Sequence, residues 1–154
     1  MKKALKIGGF VVVSLVTIMI VGALMMGVKP ISFGMHNPVF ENSGLALGGT
    51  DVVSYFKGTP TQGNETLSHE WNGSKWLFSS PSNLEQFKNA PEKFAPQYGG
   101  YCAFAVSAGF TAPADPNIWH IENSKLYIFS NEDVKSEFKK NPQKMIEDCN
   151  NEWQ

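Results

Sequence analysis

The chain has 154 residues, enough for one small domain and an appendage. It contains no arginine, and its 13 lysines are set against 14 aspartates and glutamates. From Pro30 onward nine lysines face all 14 acidic residues, a formal charge of −5. Nucleic-acid binding relies on a basic surface that neutralises phosphates, so this acidic balance argues against a nucleic-acid partner.

The first element is an apolar segment, residues 7–28, that carries no charge and is rich in Val, Ile, Leu, Met and Gly. At about 1.5 Å per residue, roughly 20 such residues span a hydrocarbon core of ~30 Å. Three lysines precede the segment and only Lys29 follows it closely, which favours an N-terminus inside the cell. We therefore predict an uncleaved transmembrane signal-anchor helix over residues 1–28. The alternative is a signal peptide cleaved near Ala23.

Either interpretation exports the rest of the chain. With the anchor retained, the protein is expected in the cell inner membrane as a single-pass protein whose domain faces the periplasm. Residues 29–48 contain Pro, Gly, Asn and Ser without a sustained period and predict a linker. The folded domain is expected over residues 49–154.

The first half of this domain predicts a short helix, a hairpin and a longer helix. Asp51 is expected to cap a helical turn that ends near Gly58. Two strands, residues 66–71 and 75–79, flank Asn72-Gly73, a strong hairpin signal. The next helix is expected to begin at Ser80 or Ser82, and residues 91–96 predict a second helical turn.

The second half predicts a sharp turn, another hairpin and two helices. Residues 101–106, after Gly99-Gly100, are compatible with a strand or a helix, and their alanine content favours a helix. Strands over residues 118–121 and 126–129 are expected to form a hairpin. Ser130 and Asn141 are the expected caps of the last two helices. The fold class is thus α+β: a small single domain with two β-hairpins and several short helices.

Several motifs occur in an order that resembles the YHS-domain family. The stretch 68–94 combines a hairpin, an aromatic-Phe-Ser step, a helix and a Pro-Glu-Lys-aromatic end, and residues 49–56 are similar to the family's N-terminal signature. The YGGYCA motif within 95–109, together with residues 125–131, is similar to an extended, exported YHS subgroup. The resemblance covers roughly residues 45–153.

Some YHS domains are thought to bind heavy metals through cysteines, so the resemblance implies a site for copper or another transition metal. The three matching positions in this chain are Ser54, Ser79 and Asn83. A hydroxyl or an amide cannot replace a thiolate as a ligand for Cu(I) or Zn²⁺. The resemblance therefore implies the fold of the family, while its metal site is expected to be lost.

The remaining chemistry centres on Cys102, directly after the Gly-Gly turn. Near a helix N-terminus its thiol pKa would be lowered, suiting a redox thiol or a soft metal ligand. The alternative is a small buried packing residue. His69 or His120 is a possible partner for the sulfur, and Tyr98 and Tyr101 are candidates to line a ligand pocket beside the turn.

The expected function is a membrane-anchored, non-enzymatic module that binds a small ligand or a metal around the GGYC turn. The alternatives are a thiol-dependent enzyme or redox protein that uses Cys102, and a scaffold domain that docks on a membrane complex. Cys149 is expected on the apolar face of the last helix. A Cys102–Cys149 disulfide is permitted in an oxidising compartment.

Overall fold

A computed structural model describes residues 16–153 of the protein. Its first helix, α1, covers residues 16–25 and leads almost directly into the domain. The predicted anchor begins outside the described residues, because residues 7–15 are not among them. Within the described part, no helix is both long enough and apolar enough to cross a membrane.

The strands form antiparallel two-stranded pairs rather than one large sheet. Two long hairpins dominate, and short pairs close the loops around them. The strands are β1 Lys29–Pro30, β2 Glu41–Asn42, β3 Leu45–Ala46, β4 Thr50–Asp51, β5 Thr61–Gln62, β6 Asn64–Trp71, β7 Ser74–Phe78, β8 Phe110–Thr111, β9 Asp115–Glu122 and β10 Lys125–Phe129. The pairs are β1–β8, β2–β3, β4–β5, β6–β7 and β9–β10.

Both predicted hairpins are confirmed, together with the α+β class. In the first turn Asn72 and Gly73 have φ values of 50° and 77°. In the second turn Asn123 and Ser124 have φ values of 51° and 60°. Two successive positive φ angles define the turn whose twist matches paired antiparallel strands, and Asn and Gly adopt them at the lowest cost.

The helices after α1 are short, as predicted, and most begin at the predicted caps. They are α2 Pro81–Asn89, α3 Pro91–Phe94, α4 Ala103–Val106, α5 Glu132–Lys140 and α6 Pro142–Glu152, with a 3₁₀ helix at Val52–Lys57. The side chains of Asp51, Ser80 and Asn141 each accept a hydrogen bond from a backbone N–H of the turn that they precede. This satisfies a donor that the helix itself leaves unpaired.

The prediction that Ser130 caps α5 is wrong. Asn131 is the cap, and its Oδ1 accepts the Val134 N–H at 3.1 Å. The Ser130 hydroxyl is engaged elsewhere, since it accepts the thiol of Cys102 at 3.6 Å. A contact between residues 28 positions apart thus decides which of two adjacent capping residues is used.

The segment 101–106 divides between the two conformations that its sequence allows. Cys102 forms an isolated parallel bridge with Ile128, and only α4 after it is helical. This helix has four residues. Cys102 precedes it with a ψ of 111° and provides no side-chain cap.

Residues 29–48, predicted as a linker, are instead part of the packed structure. β1 pairs with β8, and Val39 and Leu47 are buried in the core. These apolar residues stand singly between turn-forming residues, so they show no strand or helix period. They are nevertheless used to cover the ends of longer elements.

The core consists of two clusters on opposite sides of β10. Leu126 and Ile128 face the first cluster, while Tyr127 and Phe129 face the second. This alternation is what a strand with both faces covered requires. The first cluster includes Tyr55, Trp76, Phe78 and Phe87, and the second includes Tyr98, Tyr101, Cys102, Phe138 and Cys149.

Candidate functional site

The Gly-Gly turn is held in a backbone conformation that suits glycine. Gly99 has a φ of 63° and Gly100 a φ of 84°, and Tyr98 before them has a φ of 55°. A Cβ atom added at Gly99 would lie 2.1 Å from the backbone oxygen of Pro38. The Gly99 carbonyl also accepts the Phe40 N–H at 2.9 Å. Glycine at this position therefore lets the segment before the domain lie directly against the turn.

The two tyrosines of the turn point to different parts of the protein. The Tyr98 hydroxyl donates to Asn150 Oδ1 at 3.0 Å on α6, whereas the Tyr101 hydroxyl donates to the Asn37 carbonyl at 3.2 Å. Burial raises the pKa of both phenols, so both remain neutral donors at neutral pH. They do not line a common pocket, because Tyr101 faces a separate depression beside Lys29.

A cleft of about 360 Å³ opens beside this turn, and we call it the Gly99 cleft. Its walls combine aromatic and polar side chains from both ends of the domain. They include Trp71, Trp153, Tyr98, Glu92, Lys125 and Asn150. The volume lies within the range of ~300–1,000 Å³ typical of small-molecule sites.

Trp153 links this cleft to the N-terminal segment. Its ring lies 4.8 Å from the ring of His36, centroid to centroid, and 6.0 and 6.1 Å from Tyr98 and Tyr101. Sequence reasoning placed Trp153 only on the apolar face of the last helix. The chain end therefore forms one wall of the cleft, a role for which the sequence carries no local signal.

Both cysteines are free and buried. Cys102 is 2% exposed and donates to Ser130, and Cys149 donates to the Ala103 carbonyl at 3.2 Å. Burial raises the pKa of the Cys149 thiol to about 12. A nucleophilic or redox thiol must meet its reactant, and neither sulfur is exposed to one. The structure thus places both sulfurs in the second core cluster.

The two candidate histidines have partners of their own. The His69 ring contacts Phe87 edge-on at 6.3 Å between centroids, on the first core cluster. His120 Nε2 lies 3.1 Å from Glu122 Oε2 on the same strand. Among residues 16–153 there is no group of three or more His, Cys, Asp or Glu side chains suited to a metal ion. The geometry therefore gives no support to a metal site built from Cys102 and a histidine.

The structure reveals a polar centre that sequence reasoning missed, formed by Asp51, Ser54, Ser79 and Asn83. Asp51 is fully buried, and its Oδ1 accepts the Val53 N–H at 3.0 Å. Its Oδ2 accepts three more hydrogen bonds, from the N–H and hydroxyl of Ser79 at 2.8 and 2.6 Å and from Asn83 Nδ2 at 2.6 Å. The predicted cap at Asp51 thus accounts for one of four bonds.

The polar centre unites the three positions at which the YHS resemblance expects cysteine. Ser54 completes it by donating to the Asp51 carbonyl at 2.5 Å, while its Oγ accepts the Thr61 N–H at 2.9 Å. Throughout the described chain, every buried side-chain nitrogen and oxygen has a hydrogen-bond partner. A saturated centre leaves no polar atom for a ligand, so we assign it a structural role.

Comparison of the chain with protein-family models, with curated proteins and with solved structures found no match.

Proposed function

We propose that the protein is a membrane-anchored, extracytoplasmic binding module that holds a small organic ligand in the Gly99 cleft and catalyses no reaction. The observation that carries this proposal is the composition of the cleft. Trp71 and Trp153 offer two half-buried indole rings, and Glu92 and Lys125 place opposite charges nearby. Few convergent polar groups on an aromatic wall are typical of ligand sites.

The cleft composition favours a small zwitterion with an apolar or planar body. Indole faces attract cations and provide flat contact area, and the Glu92 carboxylate adds to that attraction. Lys125 would complement an anionic group at the other end of the ligand. Asn150 and Tyr98, already joined by a hydrogen bond, form a neutral floor beside these charges.

The proposal also keeps the membrane anchor over residues 7–28 and the relationship to YHS domains. The anchor is supported by the uncharged length of that segment and its lysine asymmetry. The relationship is supported by the order of the motifs and by the meeting of Ser54, Ser79 and Asn83 around one carboxylate. Metal binding is left out of the proposal, because these positions hold no thiolate.

The test is a ligand screen by NMR on the full chain in nanodiscs, using the indole N–H signals as reporters. Zwitterionic and cationic aromatic fragments should shift the signals of Trp71 and Trp153. Trp119 is the internal reference, because it packs on Tyr55 and does not line the cleft. Trp71→Ala should abolish binding of any hit, whereas Trp119→Phe should retain it. Fragments that shift Trp119 as strongly, or no shift at ~1 mM fragment, would contradict the proposal.

A further inference from the structure

We propose that the domain lies on the bilayer, with Phe33, Met35 and Phe110 inserted among the lipid chains beside α1. This inference rests on the membrane anchor of the proposed function and goes beyond it. An anchor alone can hold a domain at any distance and in any orientation. The contacts around α1 select one orientation.

The first argument is the absence of slack between α1 and the domain over residues 22–30. The Val28 N–H donates to the Ala23 carbonyl at 3.0 Å, which continues the helical bonding to the residue before β1. β1 then pairs at once with β8, at Lys29↔Thr111 and Pro30↔Phe110. The end of α1 and the domain are thus joined without a flexible linker.

The second argument is an apolar surface at this junction. Phe33 is 70% exposed, Met35 53% and Phe110 42%. Between them and α1 runs a groove of about 390 Å³, lined by apolar residues alone, which include Ile20, Leu24 and these three side chains. Exposed apolar patches of this kind mark interaction surfaces in otherwise soluble domains.

The third argument identifies lipid as the occupant. The groove is continuous with the exposed apolar face of α1, where Met25 and Met26 are 84% and 69% exposed. If that face lies in hydrocarbon, Phe33 and Phe110 must lie at the same interface, because the junction cannot extend. Lys29 stands at this level, where its ammonium can reach lipid phosphates while its stem stays in apolar surroundings. The surface that would be unfavourable in water is then buried in the bilayer.

The experiment measures the environment of single spin labels on the full chain in nanodiscs of phosphatidylcholine and phosphatidylglycerol. Labels are attached at Met35→Cys and Phe110→Cys, with Leu24→Cys on α1 and Lys139→Cys on α5 as references. The native thiols are buried, and the unsubstituted chain measures any background labelling. Collision rates with oxygen, which concentrates in lipid, are compared with those of a water-soluble nickel chelate. Ser32→Cys replaces either apolar label if that variant fails to fold.

Labels at residues 35 and 110 should resemble the Leu24 label, with oxygen collisions at least ~3-fold favoured over the chelate relative to residue 139. A Leu24 label in lipid with residues 35 and 110 in water would overturn the seating while leaving the anchor intact. A Leu24 label in water would overturn the anchor, and the seating with it. Dipolar broadening between Met35 labels of two chains would overturn it in favour of protein contact.

Discussion

Asp51 illustrates how a single buried charge can organise residues from three separate elements. Transferring a carboxylate out of water is costly unless hydrogen bonds replace its solvation. Here Val53, Ser79 and Asn83 supply four donors to the two oxygens. The cost of burial is thus offset by ties between the strand pair β4–β5, the end of β7 and the start of α2.

Removing this carboxylate should destabilise the fold far more than removing an exposed turn aspartate. Asp51→Ala leaves the Ser79 N–H, among other donors, buried without a partner, and we expect a loss of roughly 3 kcal/mol or more in the free energy of unfolding. Asp115→Ala is the matched control, because Asp115 also accepts from a backbone N–H two residues on but is exposed. That variant should lose about 1 kcal/mol or less. Urea titration of both variants checks this, and equal losses would refute a structural polar centre.

The buried thiol of Cys149 predicts a loss of stability in alkaline solution. Its pKa is about 12 in the folded protein, against about 8.5 for an exposed thiol. Between these values the unfolded chain releases a proton that the folded protein keeps, so the free energy of unfolding falls as pH rises through this window. Tyr127, with a pKa raised to about 12, adds to the fall above pH ~10.

The measurement is the urea midpoint of the wild-type chain and of Cys149→Ala from pH 8 to 11. The wild-type midpoint should fall with pH, and the fall should be shallower for Cys149→Ala because one of the shifted groups is gone. Identical slopes would show that the thiol does not titrate differently in the two states.

At the scale of the elements, features fixed by neighbouring residues were predictable from sequence. Asn72-Gly73 and Asn123-Ser124 determine their turns locally, as Asn141 does for its helix start. Segment 29–48 was not predictable, because its isolated apolar residues gain their role only when distant elements provide a surface. Cys102 likewise obtains its strand-like bridge from Ile128, 26 positions away.

The choice between two adjacent capping residues provides a quantitative test at this scale. Asn131→Ala removes the acceptor of the Val134 N–H, and we expect it to cost about 1 kcal/mol of stability. Ser130→Ala is the matched control, since it removes only the weak acceptor of the Cys102 thiol and should cost less than half as much. Thermal unfolding followed by circular dichroism compares the two. A larger loss for Ser130→Ala would restore Ser130 as the effective cap.

At the scale of the whole molecule, the two ends of the described chain meet at the Gly-Gly turn. The turn itself was predictable from its glycines. The cleft beside it was not, because its walls come from Trp71, Lys125 and Trp153, which are far apart in sequence. Only the packing of α6 and of the N-terminal segment against Tyr98 and Gly99 brings them together.

Gly99→Ala tests whether this meeting of chain ends supports the cleft. Any residue other than glycine pays about 1–2 kcal/mol for the left-handed conformation. At Gly99 the added Cβ would also overlap the Pro38 oxygen, whereas at Gly73, with a φ of 77°, it would meet nothing within 4 Å. Gly73→Ala is therefore a control that carries the conformational cost without the overlap.

We expect Gly99→Ala to displace the segment around Pro38 and to lose at least ~2 kcal/mol more stability than Gly73→Ala. The ring contact between His36 and Trp153 should weaken with it, because both are held by the same segment and turn. NMR contacts between these rings, measured beside the urea midpoints, report the two effects separately. Ligand hits for the Gly99 cleft should bind Gly73→Ala unchanged and Gly99→Ala at least ~10-fold more weakly. Equal binding to both would mean that the cleft does not depend on the junction of the chain ends.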